Sequence, residues 1–163
     1  MEKEKTLVLI KPDGVERGLA GEVIKRLENR GLKIVAMKMI RPSADLMDKH
    51  YFDVGERHGE KIKKGMVDYM SSGPVVAMVV EGVDAINVVR STVGSTYPNE
   101  SPLGTIRGDF CHISKDYANS NGLVVKNLVH ASAKPEEAEM ELNLWFKPEE
   151  YIEYKRTGEE YIW

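Results

Sequence analysis

Leu7-Val8-Leu9-Ile10 is a continuous apolar run that stops at Lys11-Pro12-Asp13-Gly14. An uninterrupted run of this length, ended by turn residues, predicts a buried strand. A helix is expected next. Leu19, Val23, Ile24 and Leu27 recur at helical spacing, Glu22 and Arg26 stand one turn apart, and Gly31 sits where a helix C-terminal cap belongs. Lys33 to Ile40 reads as a second strand ahead of Pro42, and Ser43 can cap a helix that carries Leu46, Met47, His50 and Tyr51 on one side. A further helical stretch is expected through Met66, Val67 and Met70, ended by Ser72-Gly73-Pro74. Val75 to Val80 predicts a third strand, Asp84 the cap of a helix reaching about Val93, and Gly94 its end. Leu128 to His130 is a short strand candidate, and Ala138, Glu141, Leu142 and Trp145 recur at the spacing of a last helix that starts near Pro135. Strands alternating with helices give an α/β domain, while periodicity alone leaves the direction of the strands open.

Between these elements, residues 94 to 109 are rich in Gly, Pro, Ser, Thr and Asn, and loops of that length inside a domain tend to carry function. Tyr151, Tyr154, Tyr161 and Trp163 make the C-terminal tail too aromatic for a solvated extension, so it is expected to pack on the body or on a neighbouring subunit. With no repeat, low-complexity tract or linker, residues 1 to 163 are expected to form a single domain. The longest apolar runs are strand-sized, and the opening Met1-Glu2-Lys3-Glu4-Lys5 has no extended apolar segment behind it. No membrane span or secretory signal is therefore expected, and a cytoplasmic location is the simplest expectation. A net charge of −3 argues against broad binding of nucleic acid, so any anion must meet a local basic cluster. The single cysteine, Cys111, excludes an internal disulfide and reads as a small core hydrophobe.

Two charges fall on inward-facing stripes. Arg90 shares a helix face with Ile86, Val89 and Val93, and Glu141 lies on the inner face of the last helix. A buried unpaired charge is costly, so each either reaches the rim with its head group or meets a partner in a cleft. His130, eleven residues before Glu141 and at the end of a short strand, is the natural partner: a carboxylate bonded to one ring nitrogen fixes the tautomer and leaves the other nitrogen free as a nucleophile. A satisfied structural histidine is the competing reading. A phosphate would need oriented donors and positive charge, which Lys11, Arg90, Thr96, Thr105 and Arg107 could supply, since the chain has neither G-x-x-x-x-G-K-[ST] nor G-x-G-x-x-G. His50 reads as a packing residue, His58 lies in a polar stretch, and His112 follows the strand-like Asp109-Phe110-Cys111. These spacings form no metal triad, so no protein-ligated metal is expected.

Four segments, taken in order, resemble the nucleoside diphosphate kinase family: Thr6 to Val15 (TLVLIKPDGV), Ser72 to Met78 (SGPVVAM), Gly104 to Phe110 (GTIRGDF) and Asn127 to Ser132 (NLVHAS). The resemblance extends to Leu144-Trp-Phe-Lys-Pro-Glu-Glu150, nearly the whole chain. It implies a ferredoxin-like α/β sandwich with a four-stranded antiparallel sheet covered by helices, assembled into homo-oligomers, as hexamers or in some members tetramers. It implies further that His130 is the phosphorylated residue, with Glu141 its hydrogen-bonding partner and Lys11 and Tyr51 also in the catalytic set. Lys11, Arg90, Thr96, Arg107, Asn127 and Val124 match nucleotide-contacting positions: Lys11 and Asn127 near the sugar hydroxyls, Arg90, Thr96 and Arg107 on the phosphates, and Val124 at the base. Asp53 matches a position near a magnesium ion held chiefly by the nucleotide's own phosphates. The implied reaction is ping-pong: a nucleoside triphosphate, typically ATP, gives its terminal phosphoryl group to His130, and a nucleoside diphosphate takes it away.

The sequence departs from the family in three places. Glu56 to Lys64 carries a short insertion and no Phe where a base-stacking aromatic is usual, so no stacking residue is assigned from it. A second insertion, around residues 115–123, is expected to border the nucleotide cleft or to reach a neighbouring subunit. Ala133 replaces an acidic residue common after the His-Ala-Ser sequence. Against RNA recognition stand the acidic balance and the missing aromatic signature. A histidine phosphocarrier without a nucleotide cleft would leave Lys11, Arg90, Thr96 and Arg107 unexplained together.

Overall fold

In the computed structural model, residues 3–162 are described, so Trp163 lies outside the described residues. The strands are β1 (Glu4–Ile10), β2 (Lys33–Ile40), β3 (Val75–Gly82) and β4 (Val129–Ala131), in the order β2-β3-β1-β4 with every pairing antiparallel. The helices are α1 (Pro12–Glu16), α2 (Ala20–Asn29), α3 (Ala44–His50), α4 (Val54–His58), α5 (Glu60–Ser71), α6 (Ala85–Val93), α7 (Ile106–Phe110), α8 (Lys115–Ser120) and α9 (Pro135–Trp145). Continuous apolar strands are the usual mark of a parallel sheet, yet this one is antiparallel. Burial on both faces is the reason. Leu7, Leu9, Ala77 and Val79 pack with Met47, Val67, Met70, Leu142 and Trp145 on one side; Val8, Ile10, Val76, Met78 and Val80 pack with Val23, Leu27, Val89, Val93 and Ile106 on the other.

Several element ends follow the expected chemistry. Ser43 accepts the Leu46 N–H at 3.1 Å to cap α3, and Gly31, at φ +82°, takes the left-handed turn after α2. Asp84 holds the cap position of α6 but gives its side chain to Asn87, and Glu4 from β1 accepts the Ile86 N–H instead. Asp109-Phe110-Cys111 is not a strand: Thr105 caps α7, which runs through Phe110, so the long loop contains this helix and a 3-10 turn at Pro98–Glu100. Thr105 is thereby spent on local structure, its hydroxyl donating to Pro102 and accepting from Gly108, and it sits behind Gly94 rather than lining the cleft expected to use it. Cys111 is half-buried at the rim of the core rather than within it. The tail returns over β2, where the Ile152 N–H bonds the Val35 carbonyl at the β-bulge and the Tyr154 hydroxyl donates to Ile34. No described helix is long and apolar enough to cross a membrane.

Candidate functional site

His130 pairs with Leu9 across the β4–β1 ladder, and paired residues point to the same face of a sheet. Its imidazole therefore enters the layer that holds α3 and α9. There Glu141, 2% exposed, lies within 2.8 Å of the His130 Nε2 and accepts the Ser132 hydroxyl at 2.6 Å. The other ring nitrogen, Nδ1, makes no hydrogen bond among the described residues and belongs to a side chain lining a cleft of about 1100 Å³. Burial and the positive charges of Lys11, Arg107 and Arg90 hold the His130 pKa down at about 3, so the ring is neutral at pH 7. A carboxylate on Nε2 places the proton there and leaves Nδ1 with a lone pair.

The cations meet at the junction of β1, the long loop and β4. Lys11, the first residue after β1, has its backbone N–H on the Leu128 carbonyl at 2.8 Å and its Nζ on Asn127 Oδ1 at 2.7 Å. Arg107, from the first turn of α7, gives Nε to the Asn127 carbonyl, Nη1 to the carbonyls of Gly94 and Ser95, and Nη2 to that of Val129. Asn127 Nδ2 closes the network on the Thr96 carbonyl at 2.7 Å. Burial and Arg107 lower the Lys11 pKa to about 8, and burial and Arg90 lower that of Arg107 to about 10. Arg90 itself is exposed on the cleft wall and has no ion pair among the described residues, so its place on the apolar stripe is resolved by an open cleft. This is a cluster of positive charge in want of an anion.

Leu128 holds the cluster in place with a left-handed backbone, φ +69°, uncommon for a branched residue. Both of its peptide groups are tied: its carbonyl to Lys11 and its N–H to Asp13 Oδ2 at 3.1 Å. Asp13 also accepts a short hydrogen bond from the Tyr69 hydroxyl. Gly14 is required beside it, since a Cβ there would lie 2.8 Å from Ile10 Cγ2 and 3.0 Å from the Leu128 carbonyl oxygen.

The expected residues converge. Lys11, Tyr51, Asp53, Arg90, Thr96, Arg107, Val124, Asn127, His130 and Glu141 all line the one cleft. Tyr51 is buried, and that burial, then the Glu141 charge, keep its hydroxyl protonated well past the usual range. His50 is more than packing. It is 5% exposed, 4.7 Å from the His130 ring centre, and its Nδ1 accepts the Trp145 indole N–H at 3.2 Å. Its sequence spacing gave no sign that it would meet His130 and Glu141, with ligand-type atoms of all three within 4.8 Å. His130 Nε2, the Glu141 carboxylate and His50 Nδ1 are engaged with one another, Ser132 and Trp145, and His50 Nε2 is buried without a hydrogen bond among the described residues. Two imidazoles with one carboxylate are unlike the oxygen shell that magnesium takes. Asp13, Ser132 and Glu137 were also missed, although an acidic residue in the turn after Lys11 was a usable signal. Phe52, His58, Ile62 and Leu123 form the outer end of the cleft, and the insertion around 115–123 folds as α8 and a turn that bring Lys115, Asn119 and Val124 to its wall.

Comparison with known proteins gives this geometry a family. Residues 4–151 match the family model described as nucleoside diphosphate kinase. The chain is 47% identical to nucleoside diphosphate kinase B of Bos taurus over 160 residues, 98% of this chain and 97% of that one. It is 49% identical over 162 residues to a nucleoside diphosphate kinase of Archaeoglobus fulgidus, with the same coverage. A Borrelia burgdorferi nucleoside-diphosphate kinase, solved as a transition state mimic with bound vanadate and ADP, superposes with a TM-score of 0.91 at 45% identity, covering 94% of this chain and 93% of that one. A Halobacterium salinarum enzyme in complex with CDP gives a TM-score of 0.84 at 36% identity over 99% of each chain. The antiparallel four-stranded sheet is that of the ferredoxin-like sandwich. The chain belongs to the nucleoside diphosphate kinase family, a family of phosphotransferases.

Proposed function

We propose that the cleft moves the terminal phosphoryl group of a nucleoside triphosphate onto a nucleoside diphosphate by way of His130. The observation that carries this is a neutral imidazole with Nε2 held by Glu141 and Nδ1 open to a cleft walled by Lys11, Arg90 and Arg107. Nδ1 attacks the terminal phosphorus as the bond to the bridging oxygen breaks, and that electron pair leaves with the diphosphate. Positive charge grows on the ring and is met by Glu141 through the Nε2 proton. A second diphosphate then attacks the same phosphorus and restores the free histidine. The Borrelia relative holds vanadate with ADP, a mimic of this kind of transfer.

Arg90, Thr96 and the N–H of Arg107 not spent on carbonyls would take the phosphates, Lys11 and Asn127 the sugar end, and Tyr51 would act as a neutral donor. At the outer end the base would lie against aliphatic Val124 and Ile62, the latter filling the place where an aromatic residue is missing. Val124 is set there by Gly65, for a Cβ on Gly65 would stand 3.1 Å from Val124 Cγ2. Contacts of this kind read no base edge, which fits broad base tolerance. Magnesium would arrive on the phosphates and supply charge neutralisation. Asp53, whose two oxygens each take one bond from Arg57, keeps a lone pair on each for a metal-bound water. Exposed Met37 and Met39, on the part of edge strand β2 beyond the tail's hydrogen bonds at Ile34 and Val35, support assembly into a homo-oligomer. Initial rates with ATP and GDP varied together should give parallel double-reciprocal lines; intersecting lines would mean direct transfer between the two nucleotides.

A further inference from the structure

Glu137 stands one helical turn before Glu141 on α9, and both side chains line the cleft beside His130. Their surroundings differ. Glu141 is almost fully buried and already accepts from Ser132 and His130, whereas Glu137 is half-buried nearer the mouth. Two carboxylates so close cannot both ionise cheaply, and two that bond each other need a proton between them. Glu141 accepts from Ser132 and His130 while Glu137 accepts only from the Ala133 amide, so Glu141, with more donors, ionises first and the proton stays on Glu137. Burial, then the Glu141 charge, raise the Glu137 pKa, and a hydrogen bond from Glu137 opposes the rise that burial imposes on Glu141. The groups that face this pair are His130 and Ser132 at β4, Arg90 from α6, His50 from α3 with Tyr51 at its C-terminal end, and the Ala133 backbone amide, which bonds Glu137.

We propose that Glu137 is a further positioning residue of the phosphoryl transfer: it keeps a proton and donates it as a hydrogen bond to Glu141, holding Glu141 ionised as the acceptor for the His130 Nε2 proton. The role rests on the histidine mechanism above. It explains how a carboxylate sunk in the protein keeps its charge without a salt bridge to Lys or Arg among the described residues. Glu137 acts through Glu141, and no hydrogen bond or ion pair joins it to His130 among the described residues.

The pH profile of kcat/KM separates this role from a structural one. In Glu137→Ala the donor is gone, Glu141 takes up its proton at higher pH, and the acid limb should move up by roughly one pH unit. Glu137→Gln supplies a permanent N–H donor and should return the limb to the parent position. Coincident limbs for the parent and the Ala variant, or equal shifts for Ala and Gln, would overturn the proposal. Incubating the parent with terminally labelled ATP keeps the two readings apart: no label on His130 defeats the histidine mechanism itself, while a labelled parent with unmoved limbs defeats only Glu137.

Discussion

The inner and outer ends of the cleft are built differently. At the inner end Glu141, Asn127, Lys11 and Arg107 are 2%, 4%, 7% and 8% exposed, and each is tied by side-chain hydrogen bonds. At the outer end Ile62, Leu123 and Phe52 are 50%, 51% and 55% exposed. Charge transfer needs groups fixed in advance, because their orientation cannot be found anew at each turnover. Holding a flat apolar ring needs only surface. Under the proposed function the second end can stay plain, since its task is apolar contact alone.

Four changes test that contrast. The largest effect on catalysis is expected from Glu141→Ala, which frees the His130 ring and removes the charge opposite it. Turnover should fall by about 10²-fold, with KM for the diphosphate little moved. A drop of less than threefold would break the distinction between the two ends. Asp13→Ala leaves the buried Leu128 N–H without an acceptor and unties the left-handed turn that aims Asn127, so urea unfolding should show a loss of about 2–3 kcal/mol. An unchanged midpoint would mean that the turn holds without Asp13.

A smaller effect follows from pH. His50 and His130 have folded pKa values lowered to about 3, while the unfolded chain takes up protons near 6.5. The unfolded state therefore binds more protons in the window between these values, and stability present above pH 6.5 is lost as pH falls through it. The slope is about 1.4 kcal/mol per pH unit for each histidine that titrates fully. Glu137 and Glu141, raised in the folded state from 4.5, work in the opposite sense above that pH and offset part of this slope. Unfolding midpoints at pH 7, 6 and 5 should fall in order; equal midpoints would contradict buried neutral imidazoles. The smallest effect is at the outer end: Ile62→Ala should raise KM for diphosphates by about three- to tenfold and leave kcat within a factor of about two. A kcat loss as large as that of Glu141→Ala would erase the contrast.

The same contrast describes what the sequence made legible. The sheet was readable because its strands are apolar on both faces, and β2 ends where its pattern does. His130, Glu141 and Arg90 were readable because a charge or an imidazole on an apolar stripe demands an explanation. What escaped was set by pairs distant in sequence. His50 lies on the apolar side of α3 and gave only a packing signal until Trp145 and His130 were brought against it. Glu137 looked like one more acidic residue at a helix start: its spacing set it one turn from Glu141, but only the fold opens a cleft beside both. Thr105 was misread because a hydroxyl in a glycine-rich loop fits a phosphate contact and a helix cap equally well, and the cap is what it makes. No hydrophobic pattern marks the outer end, where Ile62 and Val124 come from segments whose lengths depart from the family.

The central claim is that Nδ1 of His130 carries the phosphoryl group between nucleotides. Brief incubation with ATP labelled on its terminal phosphate, followed by a chase with unlabelled GDP, tests it most directly. The account predicts acid-labile, alkali-stable label on His130, absent from His130→Asn, that passes quantitatively to GTP in the chase. Label that stays on the protein when GDP is added, or GTP formed at the parent rate by His130→Asn, would contradict it.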